Sequence, residues 1–306
     1  MVAPEGPSTS AEDVRRRVIS HQRHGPPSAL PVIAAPGLTS HRGVWDQMIA
    51  HLPDSEIIAV DLRGRGESRD LPGPSSISQH AADVIALADE LGIERFIFIG
   101  HSLGAFVAVA CAAANPGRVA GLVLIDGGVV IPSPSPGVDS GAKAAADLKA
   151  ILARLGQNFE SYEAYHAFWQ DHPALAPYWS DAIAEYMDAD LCGEAPTLRP
   201  AANGDRVMED MIDLYGAGRL DPFDAVRVPT VILRAERGIL DQPEGLYPAG
   251  YLQQLTAQRP FVEVREIQDV NHYTVLLGDK GAARVAQALR ELAQDVGPKP
   301  IPGTAH

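Results

Sequence analysis

Gly100-His101-Ser102-Leu103-Gly104 sets one hydroxyl between two glycines. The pentapeptide follows the apolar run Arg95-Phe96-Ile97-Phe98-Ile99 and precedes a largely apolar helical stretch from Leu103 to Ala114. A G-x-S-x-G between a strand and a helix forms a turn so tight that side chains at 100 and 104 would collide with their neighbours. Such a turn lifts the serine hydroxyl clear of the sheet and aims the first helical amides at any charge forming beside it. The chemistry this suits is nucleophilic attack, with Ser102 as the nucleophile.

A serine hydroxyl is a poor nucleophile until a base takes its proton. Of the ten histidines, His272 in Asp269-Val270-Asn271-His272-Tyr273 follows the last expected strand, on the sheet edge where Ser102 emerges. His101 adjoins the serine, but neighbours in a tight turn point apart, so it is read as a wall of the site that contacts substrate. His21, His24, His41, His51, His80 and His306 lie in polar or terminal segments and read as solvated. A carboxylate must hold the imidazole and stabilise its cation. Asp241, in the loop after residues 230–234, leads; Asp126, directly after residues 119–125, and Glu236 are the alternatives.

The elements that must position these groups follow from periodicity. Residues 30–34 form an apolar run and read as a buried strand, and 56–60, 95–99, 119–125, 230–234 and 261–267 read as further strands. Helical stripes fall at 44–52, 76–91, 103–114, 251–258 and from about 280 to 292. Strands that are apolar throughout and separated by helices indicate a parallel sheet covered on both faces, an α/β class. The alternation stops at Pro132 and resumes near Phe223, so the expected organisation is an α/β core over 12–131 and 224–296 with a helical insertion at 132–223. Segments 1–11 and 297–306, small, polar and proline-rich, read as flexible termini.

Composition narrows the function classes. The 306 residues are 46% hydrophobic with a net charge of −14, which disfavours binding to phosphate backbones and anionic lipid surfaces. No run reaches the ~18 apolar residues of a membrane span. Cys111 and Cys192 are the only cysteines and lack metal or redox spacing, which fits a reducing, cytoplasmic setting. The partner implied is a small-molecule substrate, with neither nucleic acid nor membrane.

The order Ser–acid–His resembles the α/β-hydrolase superfamily, and the resemblance runs from about residue 14 to 293. Pro36-Gly37-Leu38-Thr39-Ser40 is similar to the family's oxyanion loop, and Asp61-Leu62-Arg63-Gly64-Arg65-Gly66-Glu67-Ser68 to its D-x-R-G-x-G-x-S turn. The insertion falls where members carry a cap domain. The resemblance implies an oxyanion hole from the amides of Leu38 and Leu103, no metal or organic cofactor, and hydrolysis through an acyl-enzyme. Two departures stand out: proline replaces the usual histidine before Gly37, and the acid loop reaches Asp241 three residues later than usual. Some members, lactonases among them, take the acid from the preceding strand's loop, which is the position of Asp126.

A serine at position 102 removes the dehalogenases and epoxide hydrolases, which need a carboxylate there, and the dienelactone hydrolases, which need a cysteine. A carboxylic ester or lactone is the leading substrate. C–C bond hydrolases and cofactor-free perhydrolases use the same three residues, and a non-catalytic ligand-binding scaffold is the rival of another class. Eight of the eighteen aromatic residues fall at 159–186. Tyr165, Trp169 and Trp179 are taken as the apolar walls of the substrate cleft, which points to a medium-sized, mostly apolar substrate.

Overall fold

Short runs of Val, Ile, Leu, Phe and Ala form the centre of the molecule because strands buried on both faces cannot alternate with polar residues. The computed structural model describes residues 18–132, 149–215 and 222–297. Segments 1–11 and 298–306, and with them His306, lie outside the described residues. The main sheet has seven strands: β1 (His21–His24), β2 (Val32–Ala35), β3 (Ile57–Val60), β4 (Phe96–His101), β5 (Val119–Ile125), and, after the short pair β6 (Leu191–Cys192) and β7 (Arg199–Pro200), β8 (Thr230–Ala235) and β9 (Val262–Ile267). Their order is β1-β3-β2-β4-β5-β8-β9, with only β1 antiparallel to its neighbour.

Every residue of β2, β3, β4, β5 and β8 is buried. Period-two alternation divides them between two cores: Ile97 and Ile99 face one, Phe96 and Phe98 the other. The first core is closed by α1 (Asp46–Ala50) and the last long helix, whose buried stripe is Ala282, Val285, Ala286, Leu289 and Leu292. The second is closed by α2 (Ile77–Glu90) and α3 (Leu103–Ala114).

Three expectations change. Polar His-Gln-Arg-His, read as solvated loop, is an edge strand that pairs with residues 57–60. A polar edge strand caps the sheet without inviting another chain to pair. The region expected to be purely helical contains, besides α4 (Tyr162–Gln170), α5 (Asp181–Ala189) and α6 (Gly204–Tyr215), the antiparallel ribbon β6–β7. The stripe expected at 44–52 is split into a 3₁₀ turn, Arg42–Trp45, and the short α1.

Both cysteines are free. Among the described residues, no helix is long and apolar enough to cross a membrane.

Leu289 is 2% exposed within the first core. Leu289→Ala should lower unfolding free energy by about 2–5 kcal/mol, seen as a lower urea midpoint at unchanged m-value.

Candidate active site

Parallel strands bring their carboxyl ends to one edge, and chemistry in such sheets collects there. β4 delivers His101 and Ser102 to that edge, β5 delivers Asp126, β2 delivers Pro36-Gly37-Leu38, and β9 leads into the loop that carries His272.

Ser102 has φ 52° and ψ −117°, a conformation that costs of the order of 1–3 kcal/mol for a residue with a side chain. Close packing enforces it. A Cβ on Gly100 would lie 2.2 Å from the carbonyl oxygen of Gly104, and a Cβ on Gly104 would lie 2.1 Å from that of Ala35. The Ser102 amide donates to the Ile125 carbonyl at 2.9 Å, so the turn is also held by the next strand. Gly37 lies against it on the other side, where a Cβ would stand 3.4 Å from Ser102 Cβ.

His272 meets Asp126: Nδ1 is 2.6 Å from Oδ2. The Asp126 side chain is fully buried and that of His272 is 9% exposed. A carboxylate oxygen accepts, so Nδ1 carries the hydrogen and Nε2 keeps its lone pair. Asp126 has φ 46°. Its amide donates to the Leu233 carbonyl at 2.8 Å, and its Oδ1 accepts from the Ala235 amide at 3.4 Å.

The carboxylate on the imidazole is therefore Asp126, not the favoured Asp241. Asp241 lies further along a loop and is committed elsewhere: Oδ1 forms an ion pair with Arg237 Nε at 3.0 Å and accepts from Asn271 Nδ2 at 2.9 Å. Tyr178 Oη donates to the same carboxylate at 3.4 Å. Glu236 caps the turn at 269, accepting from its amide at 2.6 Å.

His101 is a brace, not a substrate wall. It is 5% exposed, and its Nε2 donates to the main-chain carbonyl of His272 at 3.0 Å. The two rings lie 4.7 Å apart. Burial, reinforced by His272, holds the His101 imidazole well below the usual histidine range, so it stays neutral while it ties the serine turn to the base loop.

Asn271, next to the base, is a further residue that positions this loop. It is fully buried, and its Oδ1 accepts from the amides of Tyr273 and Thr274 at 3.0 and 2.9 Å. Its Nδ2 donates to the Ala174 carbonyl at 2.9 Å as well as to Asp241. The only available sequence signal was an Asn three residues ahead of Thr274, the spacing of a helix cap.

Two histidines read as solvated are buried. His80 is fully enclosed and its Nε2 lies 3.0 Å from Asp210 Oδ2. His41 is 5% exposed and stacks on Tyr186 at 4.5 Å.

The three aromatic candidates separate. Tyr165 is fully buried in the first core, where the insertion joins it, edge-on to Phe159 at 4.7 Å, with its hydroxyl bonded to Asp190 and accepting from Arg154 at 3.1 Å. It is a packing residue rather than a cleft wall. Trp169 lies 6.3 Å from Tyr273, whose ring is 5.8 Å from His272. Trp179 pairs with His166 at 5.6 Å. Among the described residues, no group of three or more His, Cys, Asp or Glu side chains could hold a metal ion.

Comparison with known proteins supplies the wider context. Residues 32–288 match the model of the Alpha/beta hydrolase family. The chain is similar to Lipase LipV of Mycobacterium tuberculosis, 38% identical over 58% of this chain and 76% of that protein. It is also similar to the N-formylmaleamate deformylase of Pseudomonas putida, 26% identical over 87% of this chain and 89% of the relative. The crystal structure of E-2-(acetamidomethylene)succinate hydrolase superposes with a TM-score of 0.69 at 25% identity, covering 90% of this chain and 95% of the other. With a match that spans the sheet from β2 to the last helix, this chain belongs to the alpha/beta hydrolase family of enzymes.

Proposed function

We propose that the chain is a serine hydrolase that cleaves a carboxylic ester or lactone through an acyl-enzyme on Ser102. The observation that carries this reading is the buried 2.6 Å contact between His272 Nδ1 and Asp126 Oδ2, on the same sheet edge as a serine held at φ 52°.

His272 Nε2 takes the Ser102 proton as Oγ attacks the substrate carbonyl, and Asp126 stabilises the imidazolium that forms. The amides of Leu38 and Leu103 hold the oxyanion. Leu103 opens α3, and the first amides of a helix have no partner within it. Each such donor is worth on the order of 3 kcal/mol in the transition state. The imidazolium then protonates the leaving group, and the same histidine activates the water that releases the acid. No metal or organic cofactor enters these steps.

Segment 132–223 acts as a cap over this edge. Trp169 is its apolar contribution near the base, against Tyr273 of the base loop, which suits a medium-sized, mostly apolar acyl or alcohol group. A second reading is cleavage of an acyl C–N bond. Two of the relatives that span nearly the whole chain are named an N-formylmaleamate deformylase and an E-2-(acetamidomethylene)succinate hydrolase, and an acyl-enzyme mechanism serves amides as well as esters.

Ser102→Ala should abolish hydrolysis of p-nitrophenyl butyrate and labelling by a fluorophosphonate probe while the circular dichroism spectrum is unchanged; undiminished turnover would overturn the assignment. Asp126→Asn should lower kcat on the order of 10⁴-fold, whereas Asp241→Asn should cost far less. The reverse ranking in steady-state kinetics would return the acid to Asp241. Bulky aromatic esters should be turned over better than acetyl esters, and a clear preference for acetyl would count against the apolar cleft.

A further inference from the structure

Arg65 occupies a position that the Asp61–Ser68 turn motif leaves open, yet its side chain is fully buried. All three arms of its guanidinium are used. Nε donates to the carbonyl of Leu38 at 2.7 Å, Nη1 to the carbonyl of Arg63 at 2.6 Å, and Nη2 meets Asp210 Oδ2 at 2.5 Å. Asp210 is itself fully buried and lies on α6, in the insertion. Proline stands at position 36, where the family resembled usually has histidine, and Arg65 grips that loop one residue past Gly37.

Carbonyl and amide of Leu38 share one Cα. They belong to adjacent peptide planes, so anchoring the carbonyl restricts the φ and ψ through which the Leu38 N–H can turn. A guanidinium is suited to this because its planar fork is rigid and stays charged when buried.

Asp210 holds the far end of that fork and also lies 3.0 Å from His80 Nε2, which is 3.1 Å from Ser75 Oγ. Burial pushes the Asp210 carboxyl up, but the His80 hydrogen bond and the Arg65 charge outweigh it and hold the group below the usual range. The rest of α6 is bolted to the core beside it. Glu209 accepts from the Ser75 amide at 2.6 Å, Asp213 accepts from the Ile77 amide at 2.8 Å, and the Asn203 amide donates to the Gly64 carbonyl at 2.8 Å.

We propose that Arg65 is the positioning residue of the oxyanion hole, and that Asp210 is the contact through which the insertion holds it in place. The rate of acyl transfer then depends on α6 being seated on the core, through the path α6–Asp210–Arg65–Leu38. This rests on the reading of Ser102 as nucleophile and of Leu38 N–H as an oxyanion donor. A purely structural strut between insertion and core would contribute to stability and leave the chemistry of each folded molecule alone.

The experiment compares wild type, Asp210→Asn and Arg65→Met in p-nitrophenyl butyrate hydrolysis, with folded sites counted by fluorophosphonate titration taken to completion. Asp210→Asn keeps side-chain volume and carries the test if Arg65→Met does not fold. The expected result is a fall in kcat per titrated site of roughly 10²-fold with little change in KM. Inhibition by a trifluoromethyl ketone, which forms a tetrahedral adduct with an oxyanion, should weaken by a similar factor. A lower melting temperature with unchanged kcat per site and unchanged ketone affinity overturns the proposal and leaves Ser102 untouched. A wild type that neither hydrolyses the ester nor takes the probe takes down the reading of Ser102, and the proposal with it.

Discussion

The absence of any space for a Cβ at positions 100 and 104 is the constraint on which the rest depends. Helix α3 runs so close to β2 and β4 that carbonyl oxygens of Ala35 and Gly104 occupy the places those side chains would take. Only this approach forces the chain through the left-handed conformation at Ser102. Ser102 thus stands at the end of β4, on the edge where the loops after β2, β5 and β9 also emerge. The strain is balanced by burial on both sides of the turn, where α3 is apolar along nearly its whole length.

Around that turn the molecule is tied by side-chain-to-main-chain bonds rather than by side-chain pairs alone. His101 reaches from the serine turn to the carbonyl of His272, Asn271 caps the short helix that follows the base, and Arg65 reaches the carbonyl of Leu38. Each anchors a loop whose own sequence gives it little rigidity. The reacting groups can therefore sit on irregular backbone and still be held, because the holding is done by residues rooted in strands or in neighbouring turns.

The parts of this arrangement that sequence makes legible are those governed by local rules. Ser102 is readable because glycine spacing, an apolar run and an apolar helix all bear on one pentapeptide. His272 is readable from its place after the final strand. The parallel strands β2, β3, β4, β5 and β8 are readable because burial on both faces keeps their centres apolar. Asp126 ranks below Asp241 in the sequence because the usual acid position follows the later strand and strand register leaves no mark there. Ile125 pairs with Leu233 across the sheet, two residues before β8 ends at Ala235, and the residue after Ile125 already stands beside the imidazole. Tyr165 looked like a cleft wall because composition counts aromatics without their hydroxyl partners, and Asp190 and Arg154 claim that hydroxyl. His80 looked solvated because its partner Asp210 is 130 residues away. Contacts of that range leave no local trace.

Asp126 on β5 has a consequence for how this chain can change over time. In the proposed mechanism nucleophile and acid descend from adjacent strands, and the base alone crosses from the far side. The loop after β8 is then relieved of chemical duty. Its tip bears Ile239 and Leu240, 39% and 59% exposed, and Asp241 binds Asn271 instead of the imidazole. Insertions and deletions in that loop would leave the reacting trio intact, so substrate preference can drift there at small risk to catalysis. A relative whose acid lies in that loop has no such freedom: each change in loop length would move a reacting group.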